Sequence, residues 1–328
     1  MQNGFFSRRK ALATGIAGIG ALGLPRWSLA QGKYPDKTIR VIVPFPAGGT
    51  TDVVARMVLQ KMGVQMNASF VIDNKGGANG IIGSEQVSRA APDGYTLLFN
   101  TSGAQTLSPV LYKTNYQALA SFEPVGMACE LGFVLIARKD LPANNVQELI
   151  ALAKKSSKPL TASSGSSLIV LITEQFKRTI DQPHIINVQY KGTSPQMQAV
   201  VTGEVDFSFD SFVSVEMLKA GKVKALGMVL PKRTETFPNV PTLKEQGVEG
   251  MEFATWAGML APKDTPKAIV DVLAANLEKA VQDPGIIAKL RANEFMPHYM
   301  PPGEFGQRVQ SDYDRWKRIV KETNFKLE

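Results

Sequence analysis

The residues best placed to do chemistry lie at a strand–helix junction, Val41-Ile-Val-Pro-Phe-Pro-Ala-Gly-Gly-Thr-Thr-Asp52. The β-branched run Ile39, Val41, Ile42 and Val43 reads as a buried strand, which two prolines and two glycines then break. Thr50, Thr51 and Asp52 precede the apolar-periodic Val53, Val54, Met57 and Val58, as at a capped helix start. Backbone N–H groups at such a start have no intrahelical partner and sit at the positive pole of the helix, so they can hold an anion. Asp52 reads as the helix cap in preference to a ligand contact.

Four further loops of this kind follow predicted strands, at 74–80, 100–103, 163–167 and 191–194. Together with 44–51 they supply hydroxyls from Thr50, Thr51, Thr101, Ser102, Ser163, Ser164, Ser166, Thr193 and Ser194. Titratable groups near them are few: Asp52, Lys75, Lys191 and Asp210, none beside a histidine. General acid–base catalysis needs a positioned group of tuned pKa, so the loops point to binding rather than turnover, and the chain is expected not to be an enzyme. The only histidines, His184 and His298, fall outside these loops and read as surface or packing residues. No HExxH, paired CxxC or Cys–His spacing indicates a metal, so no metal or cofactor is expected. Gly165-Ser-Ser-Leu-Ile169 fails the GxSxG pattern, and Gly48-Gly49 lacks the Gly-Lys-Ser/Thr of a P-loop. Phe45, Phe133, Phe209, Phe212 and Trp256 are candidates to wall a cleft, with core packing the better reading for all but Phe45. Asp210 ends a strand, facing either ligand and ordered water or neighbouring backbone.

The elements that must position these loops repeat a βαβαβ order twice, which predicts mostly parallel strands with loops gathered at their C-terminal ends. In the first half, strands at 39–43, 69–73 and 95–99 alternate with helices at 52–62, ending at Gly63, and 81–89. In the second half, strands at 159–162, 186–190 and 205–209 alternate with helices at 168–179 and one from 193 to Gly203. The expected fold class is α/β with two lobes, each a mostly parallel sheet flanked by helices, and a ligand cleft between them. Apolar segments near 133 and 258 are where the chain crosses between lobes. Residues 31–128 and 253–328 would form a discontinuous first lobe and 129–252 the second. The C-terminal helices, about 267–292 and 303–322, would pack back on the first lobe. A stripe of Phe305, Val309, Tyr313, Trp316 and Val320 forms the apolar face of the last one.

Composition agrees with an exported soluble chain. Its 328 residues suggest two domains, with 44% hydrophobic and 20% charged residues. Residues 1–30 carry a basic start (Arg8, Arg9, Lys10), an uncharged stretch from Ala11 to Leu24 and a small-residue cleavage site at Ser28-Leu29-Ala30. The 14-residue stretch is shorter than the roughly 20 residues that span a bilayer, so it reads as a removable signal peptide rather than an anchor. Ser7-Arg8-Arg9 partly resembles a twin-arginine export signal. Its removal takes away four cations and no acids, leaving 33 Lys+Arg against 29 Asp+Glu, a charge of +4 rather than +8. No basic run interleaved with aromatics remains to bind nucleic acid. Cys129 is the only cysteine, so no internal disulfide forms. It lies in an apolar strand-like segment and reads as a buried structural thiol.

Pro44-Phe-Pro-Ala-Gly-Gly-Thr-Thr-Asp-Val-Val-Ala-Arg56 resembles the first binding loop of the Bug family, the TctC-like periplasmic receptors of tripartite tricarboxylate transporters. Asn74-Lys-Gly-Gly-Ala-Asn-Gly80, Pro92-Asp-Gly-Tyr-Thr-Leu-Leu98, Tyr190-Lys-Gly192 and Val240-Pro-Thr-Leu-Lys-Glu-Gln-Gly247 are similar to that family too, in order over about residues 34–325. The resemblance implies a two-lobed periplasmic binding protein of type II-like fold that closes on a small carboxylate. It also implies delivery to a membrane complex of a large and a small integral subunit, by a receptor expected to act as a monomer. By position it implies ligand contacts from Phe45, Ala47, Gly48 and Thr50, and from Thr101 and Ser102. In the second lobe it implies Ser163, Ser164, Gly165, Gly192, Thr193 and Asp210. Many relatives start the helix after the Ser-Ser-Gly loop with His-Leu-x-x-Glu; here Ile169-Val-Leu-Ile-Thr-Glu174 has no histidine, a departure that bears on second-lobe contacts and ligand type. The rival readings are a sensor lobe that presents ligand to a signalling partner and an exported hydrolase or lyase.

Overall fold

Strand β1 (Ile39–Val43) is where the first sheet is built: it pairs in parallel with β2 (Phe70–Asn74) on one side and β3 (Thr96–Thr101) on the other. The computed structural model describes residues 1–2, 34–211, 214–230, 232–234, 236–251 and 255–323. The expected signal peptide, residues 3–30 of it, and the candidate wall residue Phe212 lie outside the described residues. The chain divides into two units, Met1–Tyr34 and Pro35–Glu328, and all elements discussed below belong to the second.

Helix α1 (Thr50–Met66) joins β1 to β2, and α2 (Ile81–Ser88) joins β2 to β3. α1 runs through Gly63, where the sequence reading ended it. The terminator is Asn67, whose left-handed φ of 48° lets its N–H reach the carbonyls of Gly63 and Val64. Gly63 serves close approach instead, since a Cβ there would lie 3.0 Å from the Ala68 carbonyl. After β3 come a π-helical turn (Gly103–Leu107), the short α3 (Ser108–Leu111) and β4 (Phe122–Leu131).

At Gly132 the chain passes to a second sheet, beginning with β5 (Phe133–Arg138). Helix α4 (Val146–Lys155) leads to β6 (Thr161–Ser164), α5 (Ser167–Thr179) and β7 (Ile186–Gln189). Then α6 (Thr193–Val201), β8 (Phe207–Asp210), α7 (Val215–Lys219) and β9 (Val223–Val229) complete this half. The chain returns as β10 (Thr255–Pro262) and finishes with α8 (Lys267–Val281), α9 (Pro284–Ala292), β11 (Phe295–Met300) and α10 (Pro302–Thr323).

The strand orders are β11-β4-β10-β3-β1-β2 and β7-β6-β8-β5-β9. The triplets β2-β1-β3 and β7-β6-β8 match, and beside each lies an antiparallel strand that has just arrived from the other half, β10 or β5. Most strands of each sheet run one way, against β10 and β11 in the first and β5 in the second. The antiparallel strands beside the two triplets, β10 and β5, are those laid down after a crossing, and the exchange puts both crossings next to the loops that end β3 and β8.

The first core gathers Ile42, Leu98, Phe122, Met127, Trp256 and Phe305. In the second, Phe176 meets Phe207 and Phe209 edge-on at 6.1 and 5.3 Å between ring centres. Truncating such a buried Phe to Ala costs about 3–5 kcal/mol. Helix α10, expected to pack back on the first lobe, does so and also reaches the second core. Phe305 and Val309 join the first cluster, whereas Trp316 joins the second, with Ile319 and Val320 against it. Trp256 fixes its position, stacking edge-on against Phe305 at 4.8 Å and donating from Nε1 to Asp312 at 2.8 Å. The predicted helix 267–292 breaks at Asp283-Pro284, where Asp283 caps α9 by accepting from Gly285 and Ile286.

Candidate functional site

The opening loop is held by Asp52 from inside the helix. The N-cap position is Gly49, extended and without a side chain to cap, so Asp52 is the third helical residue rather than the cap itself. Its Oδ2 reaches back to accept from the Gly48 N–H at 2.9 Å and from Arg56 Nε at 2.8 Å. Its Oδ1 accepts from Asn74 Nδ2 at 3.0 Å, and the same amide donates to the Phe45 carbonyl at 3.0 Å. Burial pulls the Asp52 pKa upward, but the hydrogen bonds from Arg56, Gly48 and Asn74 outweigh it and hold the carboxyl below its ordinary range. Asp52 is 2% exposed, turned into the loop and away from the cleft lining.

In the second lobe Gln196 plays the corresponding part. Its Oε1 accepts from the Gly165 N–H at 2.6 Å, and its Nε2 donates to Ser208 Oγ at 2.8 Å and the Phe209 carbonyl at 2.7 Å. One buried amide thereby ties the β6 loop to the end of β8. Ser163 Oγ donates to the Gln196 carbonyl and Ser164 Oγ to Asn187 Oδ1. Asp210 Oδ2 accepts from the N–H and hydroxyl of Ser214, at 2.9 and 2.7 Å. These three candidates hold strand ends together and do not line the cleft.

Between the lobes lies a cavity of about 50 Å³. The first lobe contributes Phe45, Thr50 and Thr51, then Asn79, Thr101 and Ser108, with Gly103 and Ala104 presented by the π-helical turn. The second contributes Ser166, Ser167, Leu168 and Ile169 from the start of α5, with Thr193 and Ser211. Leu131, Phe133 and Thr255 come from the crossing strands. The lobes touch at this place. The Thr50 and Ser211 hydroxyls share a hydrogen bond, and the Thr50 N–H makes a long one to Thr193 Oγ1 at 3.4 Å. A Cβ on Gly192, at φ +115°, would lie 2.9 Å from Pro46 Cδ, and one on Gly49 2.9 Å from Thr193 Oγ1.

Of the twelve sequence-expected contacts, Phe45, Thr50, Thr101 and Thr193 line the cavity. Ala47 and Gly48 are exposed in the opening loop, and Ser102 is hydrogen-bonded to Thr255. Gly165 and Gly192 press together, a Cβ on the former falling 2.3 Å from the latter's carbonyl. Sequence reasoning missed Thr51, Asn79 and Ser211 as lining residues, though Thr51 and Asn79 stand in loops it had singled out and Ser211 follows the Asp210 it named. Thr255, Leu131 and Ser108 had no local signal. Phe133 packs in the second core as expected and also lines the cleft, while Phe209 and Trp256 are core residues.

Among the described residues, no Asp, Glu, Lys, Arg or His lines the cavity. Lys75 pairs with Asp73 at 3.5 Å, and His298 faces Glu130. Among the described residues no His, Cys, Asp and Glu cluster could hold a metal, and no helix is long and apolar enough to cross a membrane. Burial raises the Cys129 thiol pKa far above its usual value, so it is inert in strand β4. What the site offers instead is the first turns of three helices, α1, α5 and α6, with hydroxyls beside them. The Ser167 Oγ, on a residue 1% exposed, makes no hydrogen bond among the described residues.

A sequence model of the family described as "Tripartite tricarboxylate transporter family receptor" (TctC) matches residues 54–325. The chain belongs to this family. The solved periplasmic binding protein BugD superposes on this TctC-family chain with a TM-score of 0.85 at 32% identity, covering 90% of this chain and all of BugD. MatC (Rpa3494) from Rhodopseudomonas palustris, solved with bound malate, gives 0.81 at 30% identity over 88% of this chain and all of its own. The R. palustris protein Rpa4515, solved with adipate, gives 0.84 at 30% over 88% and 97%. The Bug resemblance and the two-lobed fold expected from sequence are both borne out.

Proposed function

We propose that this TctC-family receptor works in the periplasm, binding a small organic carboxylate between its lobes and passing it to the large and small membrane subunits of a tripartite transporter. The observation that carries the reading is the cleft itself. Three helix N-termini and their hydroxyls converge there, while among the described residues no titratable side chain lines it. Helix-terminal amides favour an anion, and the lack of a proton-transfer group gives nothing with which to transform it. The malate and adipate bound to MatC and Rpa4515 support the ligand class. The basic start and the Ser28-Leu29-Ala30 site support export.

Thr50, Thr51, Thr193, Ser166 and Ser167 would hold the carboxylate, with Phe45 and Thr101 closing over it. Ala47, Gly48, Gly165 and Gly192 would shape the loops that carry them. The lobes would part along the crossings at Gly132 and between β9 and β10. At about 50 Å³ the cavity holds only a few waters, so ligand enters as they open. Isothermal titration of the purified chain against mono-, di- and tricarboxylates is the test. Saturable 1:1 binding of at least one is expected; silence across the panel, or catalytic turnover of any, overturns the reading. Loss of uptake of that carboxylate on deleting the receptor gene would test delivery.

A further inference from the structure

Pro46 is seated between a glycine of each lobe. A Cβ on Gly76 would lie 3.3 Å from Pro46 Cδ, and one on Gly192 2.9 Å from the same atom. Leu131, Phe133 and Thr255 enter the cavity from the crossing strands, so lobes that hinge at the crossings part where Pro46 meets Gly192. That edge is the mouth of the cleft. A lysine precedes each of the two glycines, Lys75 in the first lobe and Lys191 in the second, and both are exposed. Charge around the mouth is one-sided. Asp73 is shared by Arg40 and Lys75, and Asp52 pairs with Arg56, whereas Lys191 makes no ion pair among the described residues. Two carboxylates thus stand against Arg40, Arg56, Lys75 and Lys191, an excess of two cations. The hydroxyls and helix N-termini of the lining act on an anion already in contact with them, since a helix dipole fades within a turn. Attraction at a distance needs net charge, which reaches over roughly 30 Å at 0.01 M salt and is largely screened at high salt.

We infer that Lys75 and Lys191 form a cationic gate, one lysine from each lobe, that draws a carboxylate to the open mouth and speeds its capture without holding it in the closed cleft. The inference rests on the carboxylate-receptor reading above and adds to it the residues that set the association rate.

The double variant Lys75→Gln, Lys191→Gln removes both charges and keeps two long polar side chains on exposed positions. Its partner in the test is Lys154→Gln, Lys155→Gln, which removes the same charge from the exposed last turn of α4, before β6 begins and away from the mouth. Isothermal titration with malate, adipate, citrate and benzoate identifies a carboxylate that binds the wild-type chain, and that one is carried forward. Its affinity for the mouth variant is expected to fall about fivefold at 10 mM salt and to match wild type within about twofold at 500 mM, where steering is screened. Stopped-flow mixing at 10 mM salt should put the loss in the association rate and leave dissociation unchanged. The α4 variant should match wild type at both salts. Equal affinity of the mouth variant and wild type at 10 mM overturns the inference, as does an equal loss at both salts, which would mean that the lysines touch the bound ligand. The same loss in the α4 variant overturns it too, because net charge and not the mouth would then be responsible. Each of these outcomes leaves the receptor reading standing. Failure of all four carboxylates to bind the wild-type chain overturns that reading and the gate with it.

Discussion

The Thr50 and Ser211 hydroxyls share a hydrogen bond although 161 residues separate them in the chain. Thr50 opens the first helix of one lobe and Ser211 follows the last strand of the βαβαβ triplet in the other. Both line the cleft. The bond therefore couples lobe closure to the groups that would grip a carboxylate. Thr50→Val keeps the shape and removes the hydroxyl. A net hydrogen bond contributes about 0.5–1.5 kcal/mol, so carboxylate affinity should fall about 2- to 12-fold, and loss of the Thr50–Ser211 bond should lower unfolding stability by no more than about the same energy. Titration calorimetry beside urea unfolding would read both; unchanged affinity would remove Thr50 from the site.

Asp52 makes stability depend on acid. Its pKa is lowered in the folded chain, so its contribution is present above the ordinary carboxylate range and is lost as pH falls through the folded value. Asp52→Ala leaves the Gly48 and Asn74 donors short of an acceptor and should cost about 2 kcal/mol at pH 7. The gap between variant and wild type should be smaller at pH 3 than at pH 7. Urea unfolding at the two pH values would show it, and an equal gap at both would refute the linkage.

At Gly165 and Gly192 two backbones of the second lobe approach closely. Gly165→Ala drives a methyl to 2.3 Å from the Gly192 carbonyl, a clash with backbone that no rotamer relieves. Gly192→Ala meets the edge of the Pro46 ring and an unfavourable φ of +115°. Each should lower stability by about 1–3 kcal/mol. Gly192→Ala should also weaken ligand binding, because its clash lies across the lobe interface. Thermal melts with and without ligand separate the two effects; a Gly192→Ala chain that binds normally would mean the loops do not close at Pro46.

Cys129 should be silent to thiol reagents in the native chain. It is fully buried in β4 with a raised pKa, so neither access nor thiolate is available. Labelling by an aromatic disulfide reagent should begin only across the urea unfolding transition. Rapid labelling in native buffer would contradict the packing of β4 between β10 and β11.

Much of the scaffold was legible because its signals are local. The β-branched run at 39–43, the glycine-rich strand ends and the apolar spacing of α1, α5 and α10 need no distant partner to be read. The paired βαβαβ grammar then carries the topology, since parallel neighbours joined by helices leave few arrangements. Element ends were less legible. Gly63 looked like a helix stop, but the position needing φ > 0 is Asn67, and Gly63 is used for closeness to Ala68. Strand β11 escaped notice because Phe295–Met300 contains Pro297 and sits at a sheet edge.

What the sequence determined by itself is a two-lobed α/β receptor whose hydroxyl-rich loops follow strand ends, and the family to which it belongs. Those follow from periodicity, turn chemistry and motif order, all properties of neighbouring residues. Tertiary structure alone decided which hydroxyls face the cleft. Ser163, Ser164 and Asp210 read as well as Thr50 or Thr193, yet they are consumed by Gln196, Asn187 and Ser214. Thr255 and Leu131 reach the cleft only because the crossing strands return beside β3 and β4. A polar group's availability depends on what its three-dimensional neighbours already satisfy, and that accounting closes only when the chain has folded.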